Sequence, residues 1–339
     1  MFRSRRLPID RFSKTCRVNQ VLEKCLDFEK NSERKSFALV GGVGNQLFIF
    51  TAGTYYSLKN RENVIFDASG YVDGIPPHGS DIRALNPHAI FQTRPKRLVL
   101  NPYLNQILNI TLFRTYRILI KAPLNKILKR SRRLDYISPI LGYDEALESK
   151  VLQDKIFGYF QTYKYLEDLE VRNIINALHL GPVSDWFDKC SSEMTELPTI
   201  SVHVRRGDYM DSQDSFGVLS GEYFSSAIKF TLGATSKKYE RVLVFSDEID
   251  SAKQMFSNLL VALPVDFVDS PENNPEEELM LMANSDALII SNSSFSWWAA
   301  QLGNKSKFVV CPSKWFRDML DPQDLIPPEW HQLESQWEI

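Results

Sequence analysis

From residue 199 onward the chain alternates short apolar runs with longer amphipathic ones. The runs 199–204, 241–245, 265–268, 287–291 and 308–311 are rich in β-formers and end in polar turns, which predicts strands. Between them, 221–232, 250–260, 275–284 and 296–302 fit helices. Strands that alternate with helices are parallel, because parallel neighbours need a crossover between them. A shorter version of the rhythm opens at Ser36, where "SFALV" reads as a buried strand, "GGVG" as a turn, about 45–58 as a helix and "VIFDAS" as a second strand. This is the β-α-β start of another parallel sheet. Residues 71–140 carry no regular period, and 181–198 read as a linker. The pattern predicts an α/β fold of two Rossmann-like lobes facing a cleft, residues 36–180 and 199–339, preceded by a charged, mobile arm at 1–35.

Composition narrows the class. At 339 residues, with 43% apolar and 12% aromatic content, the chain can fill two ordinary cores. A formal charge of −2 argues against a general nucleic-acid binder. Charge is nevertheless uneven: 82–134 holds no Asp or Glu, while Lys and Arg accumulate from Arg94 to Arg133. That stretch reads either as a solvated basic face or as a docking surface for an anionic membrane or acidic glycan. Cys16, Cys25, Cys190 and Cys311 fit no zinc-ligand spacing. No apolar run has transmembrane length, and the basic opening residues lack the core of a signal peptide. Sequons stand at Asn109, Asn292 and Asn304, and the one at Asn292 is expected to be buried.

In parallel sheets ligands bind outside the carboxyl ends of the strands, and the polar clusters fall there. The strand 199–204 runs into His203, Arg205, Arg206 and Asp208; the next ends in "FSDE" with Asp247; a later one ends in "SNSSFSWW" with Asn292, Ser293 and Ser294. Alternation puts His203 and Arg205 on one side and Arg206 on the other, so one Arg can face the crevice while the other pairs with an acid such as Asp208. The planar donors of Arg suit phosphate oxygens. "SNSSFS" gathers hydroxyls and free N–H groups at a helix start, which attracts an anion; N-capping by Ser is the alternative. Trp297 and Trp298 are expected in the core. In "GGVGNQLF", Gly41 and Gly44 either cradle a phosphate or let the chain turn sharply and approach the opposite lobe, with Asn45 and Gln46 placed to offer amide contacts into the cleft.

Together "GGVGNQLF", "HVRRGDY" and "NSSFSWWAAQLG" resemble the signature of the α-1,2-fucosyltransferases, glycosyltransferase family 11, in order and spacing over about 37–312. The central block is shared with α-1,6- and protein O-fucosyltransferases, and the last block discriminates. The resemblance implies a GT-B-like fold, GDP-fucose as donor, inversion, and no metal or other cofactor; the lack of any Asp-x-Asp agrees. It implies that Arg205 holds the β-phosphate, that Asp208 braces its loop as the second catalytic residue, and that His203 lies against the nucleotide. Arg206, Asp247, Asn292, Ser293 and Ser294 complete the donor contacts. Glu278 stands where relatives place an acid, commonly Asp, that accepts from guanine N1 and N2. The acceptor would be the 2-OH of a galactoside on the side of lobe 36–180. Another linkage, a protein acceptor or a silent nucleotide-sugar-binding paralogue are the alternatives. Asp208 and His203 are both in reach as general base, and neither is assigned. Animal relatives further imply a Golgi location.

Overall fold

The computed structural model describes residues 35–68, 82, 85, 136–149, 152, 154–178, 180, 183–211, 213–270, 274–303 and 307–338. The expected arm up to residue 34, nearly all of the basic stretch, Cys16, Cys25 and the sequons at Asn109 and Asn304 lie outside them.

The first lobe begins with β1 (Lys35–Ala38), α1 (Val43–Asn60) and β2 (Val64–Asp67), the β-α-β unit read from "SFALVGG" onward. β3 (Tyr136–Ile137), β4 (Lys155–Phe157) and helix α2 (Leu169–Asn176) follow. The sheet is parallel, in the order β2-β1-β4-β3. α1 buries Phe48, Ile49, Phe50, Ala52, Tyr55 and Tyr56, which lie all round its circumference. A helix apolar on every side needs neighbours on every side, and α1 has them: its own sheet and the second lobe.

The stretch expected as a linker holds α3 (Asp185–Glu196), capped by Ser184. Trp186, Phe187, Cys190 and Met194 pack one side of it on the core, although only Met194 is buried outright. Then come β5 (Thr199–Val204), the single-turn α4 (Gly207–Met210), α5 (Gly221–Ala234), β6 (Arg241–Ser246), α6 (Ile249–Ser257), β7 (Val265–Phe267), α7 (Pro275–Ala283), β8 (Ala287–Ile289), α8 (Ser294–Gln301), β9 (Phe308–Pro312) and β10 (His331–Leu333). The sheet is parallel and ordered β10-β9-β8-β5-β6-β7. Counted from β5, the chain walks one way to β7 and then returns to build β8, β9 and β10 on the other side. This is the Rossmann order, and its reversal falls between β5 and β8, where such sheets open a ligand crevice. Ile200, Val202, Val204, Val242 and Val244 pack towards α5 and α6. Leu243, Phe245, Leu288 and Ile290 point the other way, towards α7 and α8.

The lobes share one apolar cluster. Phe48 of α1 lies 4.5 Å from the Trp297 ring and 5.1 Å from that of Trp298. Both tryptophans are fully buried, as their place behind a polar turn predicts.

Candidate active site

At the β5–β8 switch, His203 and Ser291 meet. The imidazole is 4% exposed, and its Nδ1 lies 2.8 Å from Ser291 Oγ. Burial first, and then the charge of Arg205, push its pKa down to about 3. His203 is therefore neutral at pH 7 and acts as a strut between the strands.

Two residues on, Arg205 is gripped from both sides. Nη2 donates to Asp208 Oδ1 at 2.5 Å, Nη1 pairs with Asp247 Oδ2 at 3.0 Å, and the guanidinium lies 5.3 Å from the centre of the Tyr209 ring. Burial works against the charge, yet Asp247 and Asp208 more than offset it and raise the pKa above the ordinary Arg value. Its Nε–H is buried without a partner. A guanidinium has about five N–H donors, so two carboxylates leave several for a ligand. The Asp208 side chain is 51% exposed, and an ion pair that open to water is cheap to exchange for another anion.

The partner expected for the second arginine is different. Asp208 takes Arg205 itself, whereas Arg206 forms a two-pronged pair with Glu338, through Nη1 to Oε1 and through Nη2 to Oε2 at 3.0 Å. Strand alternation is the reason: it sends Arg206 to the face opposite Arg205, where the segment around Glu338 runs. Only the Arg206 backbone joins the Arg205 cluster, its N–H donating to Asp247 Oδ1 at 2.9 Å. Asp247 comes this close because residue 207 is Gly; a Cβ there would stand 2.4 Å from Asp247 Oδ2.

Beyond Asp247 the crevice turns acidic. Glu278, in the first turn of α7, is driven up to a pKa of about 7 by burial and then by the charges of Asp269 and Asp247. Within one crevice a guanidinium that can take an anion thus adjoins a negative region that favours hydrogen-bond donors.

On the other side of the switch, Asn292 is 1% exposed. Its Nδ2 faces three carbonyls, Phe216 at 3.0 Å, Gly217 at 3.1 Å and Trp315 at 3.1 Å, while the Asn292 backbone carbonyl accepts from the Tyr209 hydroxyl at 3.1 Å. The Nδ2 of the side chain expected as a donor contact closes this loop, while its Oδ1 is buried without a partner. Ser293 Oγ accepts from the Phe295 N–H at 3.3 Å and so caps α8, the alternative role for this turn. Ser294, next to it, is half-buried at the first turn.

The glycine turn brings the first lobe to this point. Gly41 has φ +72°, and a Cβ on Gly44 would lie 2.4 Å from Ser294 C and 2.6 Å from the Phe295 nitrogen. The starts of α1 and α8 therefore touch across the cleft. Gln46 does not reach into it: fully buried, its Nε2 donates to the Gly41 carbonyl at 2.9 Å and its Oε1 accepts from the Ile82 N–H at 3.0 Å. A sharp glycine turn leaves buried backbone groups that a side-chain amide can satisfy, which is why the contact expected in the cleft is internal. Asn45 Oδ1 accepts from Gln161 Nε2 at 2.9 Å.

Sequence reasoning passed over Gly207, Tyr209, Asp269, Glu338 and Gln161. The first two stand inside "HVRRGDY" and were legible as part of the motif. The others come from distant segments with no local mark.

The profile of glycosyl transferase family 11 matches residues 156–334. The chain is 28% identical over 311 residues to an α-1,2-colitosyltransferase of Escherichia coli, covering 88% of this chain and 98% of that one. It is also 28% identical over 304 residues to the O-antigen biosynthesis glycosyltransferase WbnK of Escherichia coli, covering 82% and 93%. Among solved structures it resembles the fucosyltransferase NodZ from Bradyrhizobium, with 15% identity, a TM-score of 0.46 and coverage of 79% and 92%. The profile spans more than half of the chain, runs from β4 to β10, and includes every crevice residue from His203 to Ser294. On that match the chain belongs to glycosyl transferase family 11.

Proposed function

We propose that this glycosyltransferase moves L-fucose from GDP-fucose, with inversion, to the 2-OH of a galactoside. The observation that carries the reading is the pairing of Arg205 with the acidic region around Glu278 in one crevice. GDP has the complementary polarity, an anionic diphosphate at one end and the N1–H and N2–H donors of guanine at the other. Arg205 stabilises the charge that builds on the β-phosphate as the fucosyl bond breaks, and it does so more in the transition state than in the ground state. Asp247 and Asp208 aim it, and Ser294 with the free N–H groups of α8 adds donors to the phosphates. The two curated relatives are bacterial, so the Golgi placement drawn from animal relatives gains no support from them. Among the described residues no helix is long and apolar enough to cross a membrane.

The acceptor is read onto the first lobe. A hollow of about 340 Å³ there is lined by Tyr55, Tyr143, Lys164, Glu167 and Asp168, side chains of the kind that stack on sugar rings and hold hydroxyls. Tyr55 lies ten residues along α1 from Asn45, about 15 Å at helical rise, which suits sugars beyond the one that reacts. A second donor reading, colitose in place of fucose, is favoured by the relative named for that sugar. Incubating the protein with GDP-fucose and a galactoside, following GDP release and assigning the product linkage by NMR, tests the proposal. An α-1,2-fucosyl product supports it; GDP release with another donor sugar only would replace it.

Two results are expected of the active protein. The chemistry is carried by a guanidinium, so a chelator such as EDTA leaves the initial rate unchanged. The pH profile reports Glu278, whose pKa is about 7. Ionised, it accepts from both guanine donors; protonated, it loses that capacity. Activity is thus present above pH 7 and lost as pH falls, kcat/KM for the donor dropping by up to about tenfold per pH unit on the acid side. Glu278→Gln should remove that limb and lower donor kcat/KM above pH 7, where the wild-type carboxylate is ionised.

A further inference from the structure

The segment that ends in Glu338 is fastened behind the catalytic loop at several points. Ser220 N–H donates to the Gln336 carbonyl at 2.8 Å, Leu219 and Trp337 form an antiparallel bridge, and Glu338 N–H donates to the Val218 carbonyl at 2.8 Å. Arg317 Nη1 closes the arrangement on the Glu338 carbonyl at 3.1 Å. Gly217, at φ +75°, makes room for Trp337, since a Cβ there would lie 2.6 Å from the indole ring. The same loop presents Phe216 to the Tyr209 ring, stacked at 5.0 Å, and Tyr209 underlies Arg205. Into this frame Glu338 projects its carboxylate, and the frame leaves the Arg206 side chain 11% exposed.

Adjacent arginines at a diphosphate site pose a physical problem. A second free guanidinium would compete for the same oxygens and hold the nucleotide in alternative poses, and only one pose sets the leaving group in line. The two-pronged contact with Glu338 removes Arg206 from that competition. It also fixes the Arg206 backbone, whose N–H orients Asp247, and Asp247 in turn orients Arg205.

We propose that Glu338 is a positioning residue for transfer: by holding Arg206 out of the cleft it fixes the Arg206–Asp247 contact that aims the Arg205 guanidinium at the diphosphate. The proposal rests on the donor reading above for its ligand, but the arrangement of Arg205 can be read without any donor. The first measurement is therefore ligand-free. In ¹⁵N-labelled protein the Arg205 Nε–H signal, identified by its loss in Arg205→Lys, should shift or broaden in Glu338→Gln; an unchanged signal overturns the proposal whatever the donor sugar is. If Glu338→Gln does not fold, Glu338→Asp, too short to keep both prongs, serves in its place.

In an active preparation Glu338→Gln should lower kcat about tenfold or more, as expected of a misplaced catalytic group, while the dissociation constant for GDP stays within about twofold. Loss of affinity and rate together would point to a merely structural role and overturn it. Acting through one contact, Glu338→Gln should also add nothing in an Arg206→Met background. A parent protein that fails to use GDP-fucose, with the Arg205 signal still responding to Glu338→Gln, would remove the donor reading and leave the positioning role standing.

Discussion

Replacing Arg205 with Ala should abolish most transfer while the protein stays folded. Losing one preorganised donor to developing charge typically costs about 10²–10³ in kcat, roughly 3–4 kcal/mol of barrier. The loss should appear in kcat more than in donor KM, because the charge on the β-phosphate grows as the bond breaks. The fold should survive because the partners left behind are not stranded. Asp208 is half exposed and can be solvated, and Asp247 keeps the Arg206 N–H. Arg205→Lys should recover little, since a single ammonium cannot span Asp247, Asp208 and a phosphate as a planar fork does. GDP-release kinetics beside a thermal melt decide the matter: a variant with most of its kcat intact would remove Arg205 from the mechanism.

Gly44→Ala is the second change expected to do severe damage, although it adds one methyl group. The atoms it would strike are backbone, Ser294 C at 2.4 Å and the Phe295 nitrogen at 2.6 Å, and backbone cannot rotate aside as a side chain would. α1 must then back away from α8, straining a cluster in which Phe48 touches both tryptophans. Overpacking of this kind costs roughly 1–3 kcal/mol, and a melting point lower by several degrees is the expected sign, on the order of 2–4 °C per kcal/mol. Transfer should fall further than stability, because the walls of the cleft move apart and about 10²-fold in rate can follow from a displacement near 1 Å. Gly233→Ala is the matched control. Nothing lies within 4 Å of its Cβ position, so neither melting nor rate should suffer.

The second lobe was readable because its inner strands β5, β6, β8 and β9 are buried on both faces. Such strands appear as unbroken apolar runs, and the helices between them are long enough to show their period. β3, β4 and β10 have two or three residues each, too few for any alternation to stand out. α3 escaped although Trp186, Phe187, Cys190 and Met194 form a stripe at helical spacing, because the charged and hydroxyl residues between them read as a linker. At the site, "HVRRGDY" identified the charged loop, and strand alternation correctly separated the faces of Arg205 and Arg206. It could not say which acid served which arginine. Glu338 is 132 residues from Arg206, and a pairing across that distance leaves nothing local to read. Gln46 misleads for a related reason: a polar residue beside a turn reads as a ligand contact, yet it is buried and serves the Gly41 carbonyl and the Ile82 N–H.

The aromatic contact between α1 and α8 bears on how spent nucleotide leaves. Phe48 is wedged against Trp297 and Trp298, and the Tyr163 N–H and Thr162 hydroxyl of the first lobe donate to the Asp324 carbonyl of the second at 3.0 and 2.8 Å, so the lobes are welded rather than hinged along this seam. A wide rocking motion would expose this aromatic surface to water at every turnover. On the proposed GDP-fucose reading, GDP would leave through the more exposed rim, where the half-exposed Asp208 can swing back onto Arg205 and displace the product it had yielded to.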